Sequence, residues 1–259
     1  MIIFVARTPT PPRTRTLEAA IFWGTLVVVA GLTKGFIAEA FMFPSSSMLP
    51  TLEVGAHVFA SKRGTPGRGD VIVFDHPCGP AQYGKRIVAL ENDTVELRCN
   101  VLFINGKRVS TELVRANDSY ADFHDYDQTS FRRNASRYRE TLDGRTYEIF
   151  DRPDRPEQGV ADQKDFPQDN APDCHTHANT LMGGGPTKQK AGKIVDTRPP
   201  DVPCEPHRHF VVPSGHVFVL GDNRSNSNDS RYWGAVPVEG IRGRVIGIWL
   251  PLAHFGPID

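Results

Sequence analysis

Apolar positions follow two different patterns along this chain. Residues 17–32 (LEAAIFWGTLVVVAGL) form one continuous apolar run whose only charge is Glu18, and the character continues past Lys34 through GFIAEAFMF. From about residue 57 onward the apolar residues come instead in short β-branched runs separated by Gly, Pro, Asn and Asp, which predicts an all-β domain. Strands are expected at 57–61, 70–75, 85–90, 94–98, 101–104, 107–109, 216–220 and 244–250. Asn105-Gly106 falls between two of them and predicts a two-residue type I′ turn, which needs positive φ at both positions. Residues 110–209 break the pattern with Asp, Arg, Asn, Pro, His and a Gly183-Gly184-Gly185-Pro186 run. They read as an insertion of mobile loops with small β elements of its own, 146–150 among them.

A bilayer span takes about 20 apolar residues, with a lower limit near 17. Residues 17–36 reach that length if Glu18 and Lys34 lie at the two interfaces. Arg7, Arg13 and Arg15 precede the run without any acid, which places the N-terminus in the cytoplasm and the remainder outside. A cleaved secretory signal is the rival reading, since Ala38-Glu39-Ala40 resembles a small-residue cleavage site. A buried core helix is the other.

The chain has 259 residues, and 30 Lys+Arg balance 30 Asp+Glu. Zero net charge excludes a broad basic nucleic-acid surface. With 39% hydrophobic residues, 21 Pro and 23 Gly, turns dominate, which excludes helix bundles and coiled coils. The cysteines are Cys78, Cys99, Cys174 and Cys204, an even number that permits disulfides outside the cytoplasm. Cys174 and Cys204 share the insertion, so a bridge between them is the expected pairing. His175, His177, His207 and His209 flank them, but the spacings match no closed zinc pattern, and no metal is expected.

Three segments carry candidate chemistry. In Phe41-Met42-Phe43-Pro44-Ser45-Ser46-Ser47-Met48-Leu49-Pro50-Thr51-Leu52, the two prolines forbid a regular helix or central strand. They leave a rigid loop of hydroxyls between apolar side chains, more than a plain Ser-rich linker requires. In Tyr83-Gly84-Lys85-Arg86-Ile87-Val88-Ala89-Leu90 a lysine opens an apolar strand. Such a lysine is usually a snorkelling edge residue; buried, it loses its charge and becomes a general base. The third segment runs Gly221-Asp222-Asn223-Arg224-Ser225-Asn226-Ser227-Asn228-Asp229-Ser230-Arg231-Tyr232-Trp233-Gly234. Its alternating Asp and Asn suggest a calcium loop, but the required Gly and terminal Glu are absent, and two Arg point to internal ion pairing.

Together these segments resemble the boxes of the bacterial type I signal (leader) peptidase family. Pro44 to Thr51 is similar to its serine box, Arg68-Gly69-Asp70-Val71-Ile72-Val73-Phe74 and Tyr83-Gly84-Lys85-Arg86 to the next two, and Gly221 to Gly234 to its most specific box. All follow the family's order behind an apolar anchor, while the insertion is only loosely similar. The resemblance implies a mainly β fold, an antiparallel β-sheet catalytic domain with an inserted second β region behind one N-terminal transmembrane helix. Its expected parts are 1–16 cytoplasmic, 17–40 anchor, 41–109 and 210–259 catalytic core, and 110–209 insertion.

By that resemblance Ser47 is the nucleophile and Lys85 the general base, a Ser-Lys variant of acyl transfer needing no cofactor. For this Lys85 must be deprotonated among apolar neighbours such as Val73, Ile87 and Phe43. Ser45 is the expected hydroxyl donor to the oxyanion beside the Ser47 amide, and Ser227 the hydroxyl that orients the lysine amine. Asp229 and Arg231 support the site structurally, and Gly221, Asp222 and Asn223 shape the turn. Phe41, Phe43 and Gly84 match substrate-binding positions. Gly84 stands where the family often carries a bulky apolar residue, so a roomier pocket with tolerance for slightly larger residues is expected. The implied substrates are preprotein signal peptides cut after small-x-small sites, processed by a monomer at the plasma membrane, with apolar residues of 41–52 dipping into the bilayer. A specialised pilin or conjugative-transfer processing peptidase and a non-catalytic scaffold remain alternatives. A self-cleaving repressor would need a helix-turn-helix and a basic face, which this chain lacks.

Overall fold

The computed structural model describes residues 18–25, 31, 38–98, 101–123, 129–152, 165–168, 170–174, 190, 192–197 and 207–258. Its strands are β1 (Ala38–Phe43), β2 (Ala56–Ser61), β3 (Val71–Asp75), β4 (Gln82–Ala89), β5 (Thr94–Arg98), β6 (Val101–Ile104), β7 (Lys107–Arg108) and β8 (Ser110–Phe123). They continue with β9 (Ser130–Leu142), β10 (Arg145–Asp151), β11 (Lys193–Thr197), β12 (His207–Val211), β13 (His216–Leu220), β14 (Val236–Pro237) and β15 (Ile241–Leu250).

A seven-stranded sheet in the order β1-β2-β15-β3-β4-β13-β14 carries the candidate site. The apolar runs of β3 (VIVFD) and β13 (HVFVL) are buried almost throughout, so these strands are covered on both faces and flank β4 at the middle of the sheet. β2 alternates buried and more exposed positions, as a strand with one covered face does. On one face Phe43, Met48, Leu52, Val58, Val73 and Ile248 pack together, and on the other Ile72, Phe74, Ile87, Val219 and Trp233. Asn105 (φ 53) and Gly106 (φ 71) both take positive φ at the β6–β7 turn, the geometry a type I′ hairpin requires.

β5, β6 and β7 pair with β12 and β11 in a separate five-stranded sheet, and β10-β9-β8 form a third sheet. Val88 and Leu220 of the first sheet, Val95, Leu102 and Phe210 of the second, and Ile149 of the third share one core. The described strands of the insertion are thus packed into the molecule. β1 pairs along its length with β2, Ala38 opposite Ser61 and Ala40 opposite Phe59, so 38–40 of the expected anchor are sheet. Residues 18–25 are helical with Ile21, Phe22 and Trp23 exposed, and among the described residues no helix is long and apolar enough to cross a membrane. The remainder of the anchor stretch lies outside the described residues.

The disulfide joins Cys78 to Cys174, correcting the expected Cys174–Cys204 pairing; Cys204 and Cys99 lie outside the described residues. The reason is the path of the insertion. Leu97 and Phe166 exchange backbone hydrogen bonds at 2.8 Å, which brings the segment carrying Cys174 back onto the core beside the β3–β4 loop and Cys78. Closing a loop across 96 positions of sequence restricts the unfolded chain strongly. Serine at both positions is expected to cost about 2–4 kcal/mol in urea unfolding. Non-reducing peptide mapping checks the pairing: a linked Cys78–Cys174 peptide is expected, and a Cys174–Cys204 peptide overturns it.

Candidate functional site

After β1 the chain cannot continue as strand through Pro44, and it tightens into a 3₁₀ turn at Ser46–Met48. Two apolar plugs hold the turn, Met48 and Leu52, both fully buried. These residues, with Phe43, fill the protein's own core, so of the run 41–52 only Met42 presents a large exposed apolar side chain, at 54%. Of the apolar residues of 41–52 expected to dip into the bilayer, Phe43, Met48 and Leu52 are thus buried in the core instead. Ser47 is turned inward and buried, while Ser45 is exposed with its Oγ 3.1 Å from Ser47 Oγ.

Lys85 lies on β4 opposite Ile72 of β3, on the same strand face as Tyr83 and Ile87. It is only 4% exposed, and its Nζ is 2.5 Å from Ser47 Oγ. Burial lowers its pKa to about 8; the carboxylates of Asp229 and Asp222 pull it back upward and Arg231 pushes it down. At pH 8 such an amine is about half neutral, against well under 1% for an ordinary lysine near 10.4.

The Gly221–Gly234 segment supports the turn and the amine through charged pairs. Asp222 takes both arms of Arg86, at 2.8 and 2.7 Å, with both side chains fully buried, and accepts the Thr51 hydroxyl at 2.5 Å. Arg86 also lies 3.9 Å from the Tyr147 ring centroid, and the buried Tyr147 hydroxyl has its pKa pushed up by burial. Asp229 caps the short helix Ser230–Trp233, accepts from the Gly221 amide at 3.0 Å and pairs with Arg231 at 2.8 Å. A side chain on Gly221 would collide with the Ser227 hydroxyl and with Ser47 O, so this close approach to the Ser47 backbone requires glycine. Asn223 donates its amide N–H to Ser47 O and its side-chain amide to Ser46 O, both at 3.0 Å.

Two expectations change here. The Ser227 Oγ is buried beside Gly221 without a hydrogen-bond partner among the described residues, and is not bonded to the Lys85 amine. The Phe43 ring occupies the space where a Gly84 side chain would project, and Phe43 is itself buried with the half-buried Phe41 packed against its cluster. The small residue is filled by the large one opposite, so the absent Gly84 side chain leaves no roomier pocket.

Sequence reasoning passed over Arg86, Glu140, Ser46, Asn226 and Asp122. Glu140 of β9 holds Arg224 at 2.8 and 2.5 Å with both side chains buried, and Arg224 in turn donates to Gly221 O. The one available signal was an arginine inside the apolar run of β4. Cys174 is consumed by its disulfide, and among the described residues no group of three His, Cys, Asp or Glu is placed to hold a metal.

The family described as signal peptidase, peptidase S26, matches residues 16–250. A signal peptidase I of Aquifex aeolicus is 31% identical over 86% of this chain and 80% of its own. One from Pseudomonas fluorescens is 29% identical over 88% of this chain and 70% of its own. A crystal structure of a signal peptidase I from Enterococcus faecalis aligns over 70% of this chain and 97% of its own, at 21% identity and a TM-score of 0.31, and the assignment rests on the sequence matches. The chain belongs to the signal peptidase family, peptidase S26, and is a serine endopeptidase.

The buried amine carries a stability cost with a defined pH window. Below about 8 Lys85 is charged both folded and unfolded, and the folded state bears the full desolvation penalty. Between that value and the ordinary one near 10.4 the folded protein binds fewer protons than the unfolded chain, so its stability rises with pH. Lys85→Met is expected to be more stable than wild type at pH 7, by on the order of 3 kcal/mol. The advantage should shrink toward pH 10 in chemical denaturation. An advantage independent of pH contradicts the buried-amine reading.

Proposed function

We propose that this chain removes signal peptides from secreted preproteins with Ser47 as nucleophile and neutral Lys85 as general base. The observation that carries the reading is the 2.5 Å contact between a serine hydroxyl and a lysine amine that is only 4% exposed. The neutral amine takes the Ser47 proton as Oγ attacks the scissile carbonyl. The carbonyl π electrons move onto oxygen, where the Ser47 amide and the exposed Ser45 hydroxyl receive the negative charge. Collapse of the intermediate expels the amine of the mature protein, which takes its proton from the Lys85 ammonium. Water then attacks the acyl-enzyme, giving one proton to the again neutral Lys85. Collapse breaks the bond between the acyl carbon and Ser47 Oγ, Oγ takes that proton back from the Lys85 ammonium, and the signal peptide leaves as a carboxylic acid that ionises in water.

Phe41 and the Phe43–Gly84 pair form the apolar surroundings in which small side chains before the cut are accommodated. Asp229 and Arg231 hold the turn behind Lys85 as a closed pair. The apolar run of 17–36 is the membrane anchor, with the arginine-rich N-terminus in the cytoplasm and the sheets on the outer side, where signal peptides leave the bilayer. The chemistry as written uses no cofactor.

Cleavage of a preprotein with an Ala-x-Ala site, in detergent, tests the reading. Ser47→Ala and Lys85→Ala are each expected to lower kcat at least 10³-fold with fold intact by circular dichroism, and Ser45→Ala by on the order of 10²-fold. Full activity in either of the first two rejects the mechanism. In wild type kcat/KM is expected to rise with pH through a single limb near 8, as the amine loses its proton. A flat profile from pH 6 to 9 counts against Lys85 as the base.

A further inference from the structure

The inserted hairpin reaches the Ser46–Met48 turn through an apolar contact of Tyr120 and Ala135 with Leu49 and through one carboxylate bonded to Ser46. Asp122, near the end of β8, is 7% exposed. Its Oδ1 accepts the Ser46 hydroxyl at 2.7 Å and the Phe123 amide at 3.0 Å. Its Oδ2 accepts Asn226 Nδ2 at 2.8 Å and Arg133 Nε at 2.6 Å. Burial works to raise the Asp122 pKa, but Arg133, Ser46 and the Phe123 amide outweigh it and hold the carboxyl below its ordinary value. At neutral pH both oxygens are therefore acceptors.

Ser46 is locked from two sides. Its hydroxyl gives its proton to Asp122 and receives one from Asn226 Nδ2 at 2.9 Å. Its carbonyl receives Asn223 Nδ2 at 3.0 Å and the Leu49 amide at 3.2 Å. That carbonyl and the Ser47 N–H belong to one peptide plane and point in opposite directions when the peptide is trans. Fixing the Ser46 carbonyl toward Asn223 thus fixes where the Ser47 N–H points. In the mechanism above, that N–H faces the oxyanion.

We propose that Asp122 is a positioning residue of the catalytic reaction: acting from the inserted hairpin through the Ser46 hydroxyl, it aims the Ser47 amide at the developing oxyanion. The inference rests on Ser47 being the nucleophile. If Asp122 only pinned the hairpin to the core, its loss would lower stability and leave turnover by the folded enzyme unchanged.

Full-length enzyme in detergent, cleaving a preprotein with an Ala-x-Ala site, separates the two. Ser46→Ala, Asp122→Ala and the double variant are compared with wild type. Ser46→Ala removes a single hydroxyl and keeps the test open if Asp122→Ala folds poorly. Each single variant is expected to lower kcat by about 10- to 100-fold, with KM held within about twofold. The pH limb should stay in place, because Lys85 keeps its surroundings. The double variant should be no slower than the slower single variant, since both act through one contact. Ser46→Thr, which keeps the hydroxyl, should recover most of the turnover. Wild-type kcat in Ser46→Ala, losses that multiply in the double variant, or a loss confined to KM overturns the proposal. Ser47→Ala in the same assay keeps the foundations distinct: if it still cleaves, the nucleophile assignment fails, and the positioning proposal with it.

Discussion

Everything in this site depends on keeping one amine uncharged in a protein crowded with carboxylates. Desolvation of Lys85 supplies the downward push, and it comes from placing β4 between two strands that are themselves buried. Asp222 and Asp229 oppose it. A bare unit charge about 5 Å away at an effective dielectric near 20 is worth about 3 kcal/mol. Left unpaired, either carboxylate would pull the Lys85 pKa further upward. Each is instead closed by its own arginine, Arg86 for Asp222 and Arg231 for Asp229. The Arg231–Asp229 pair behind the site therefore does more than hold a turn: the arginine offsets part of the upward pull that the carboxylates exert on the Lys85 amine.

Ser47, the proposed nucleophile, faces a second constraint, because its hydroxyl must be both aimed and accessible. Apolar and polar contacts divide that task. Met48 and Leu52 anchor the turn to the core, which fixes its place but leaves rotation about the backbone weakly specified. Orientation comes from directional contacts, with Asn223 on two consecutive carbonyls and the Asp122–Asn226 pair on the Ser46 hydroxyl. Ser45 remains exposed at the open side, where a substrate carbonyl can reach it.

The parts of the fold that could be read in advance were those in which burial imposes alternation or a tight turn imposes positive φ. β5 and β13 occur at the expected residues, and Asn105-Gly106 makes the expected turn. β1 was hidden because AEAFMF extends the apolar run before it, so sheet and anchor share one pattern. The β8–β9 hairpin was hidden for the opposite reason. Much of its length is exposed, and its Arg, Asp, Glu and Asn residues leave no apolar period to detect. The Ser47 and Lys85 pair was legible through the family resemblance of its segments, since the apolar settings alone left a snorkelling lysine as the ordinary reading. Asp122 and Glu140 were not, since each is one acid among many until the hairpin folds back onto the turn. Gly84 misled for a related reason: the ring that fills its space belongs to Phe43, on a distant stretch of sequence.

The insertion thus cannot be regarded as an appendage to a self-sufficient catalytic sheet. Glu140 and Arg224 are buried together, and losing one partner of such a pair costs about 3–5 kcal/mol because the other is left charged in the interior. Arg224 also donates to Gly221 O, and Gly221 stands directly against Ser47 O. A disturbance in β9 is therefore felt beside the Ser47 carbonyl. Well-packed apolar residues in place of the ion pair would often be as stable or more so. They would not, however, dictate a direction to the Gly221 carbonyl. The polar connection exchanges stability for geometry, and geometry is what an uncharged amine and a single hydroxyl need in order to meet.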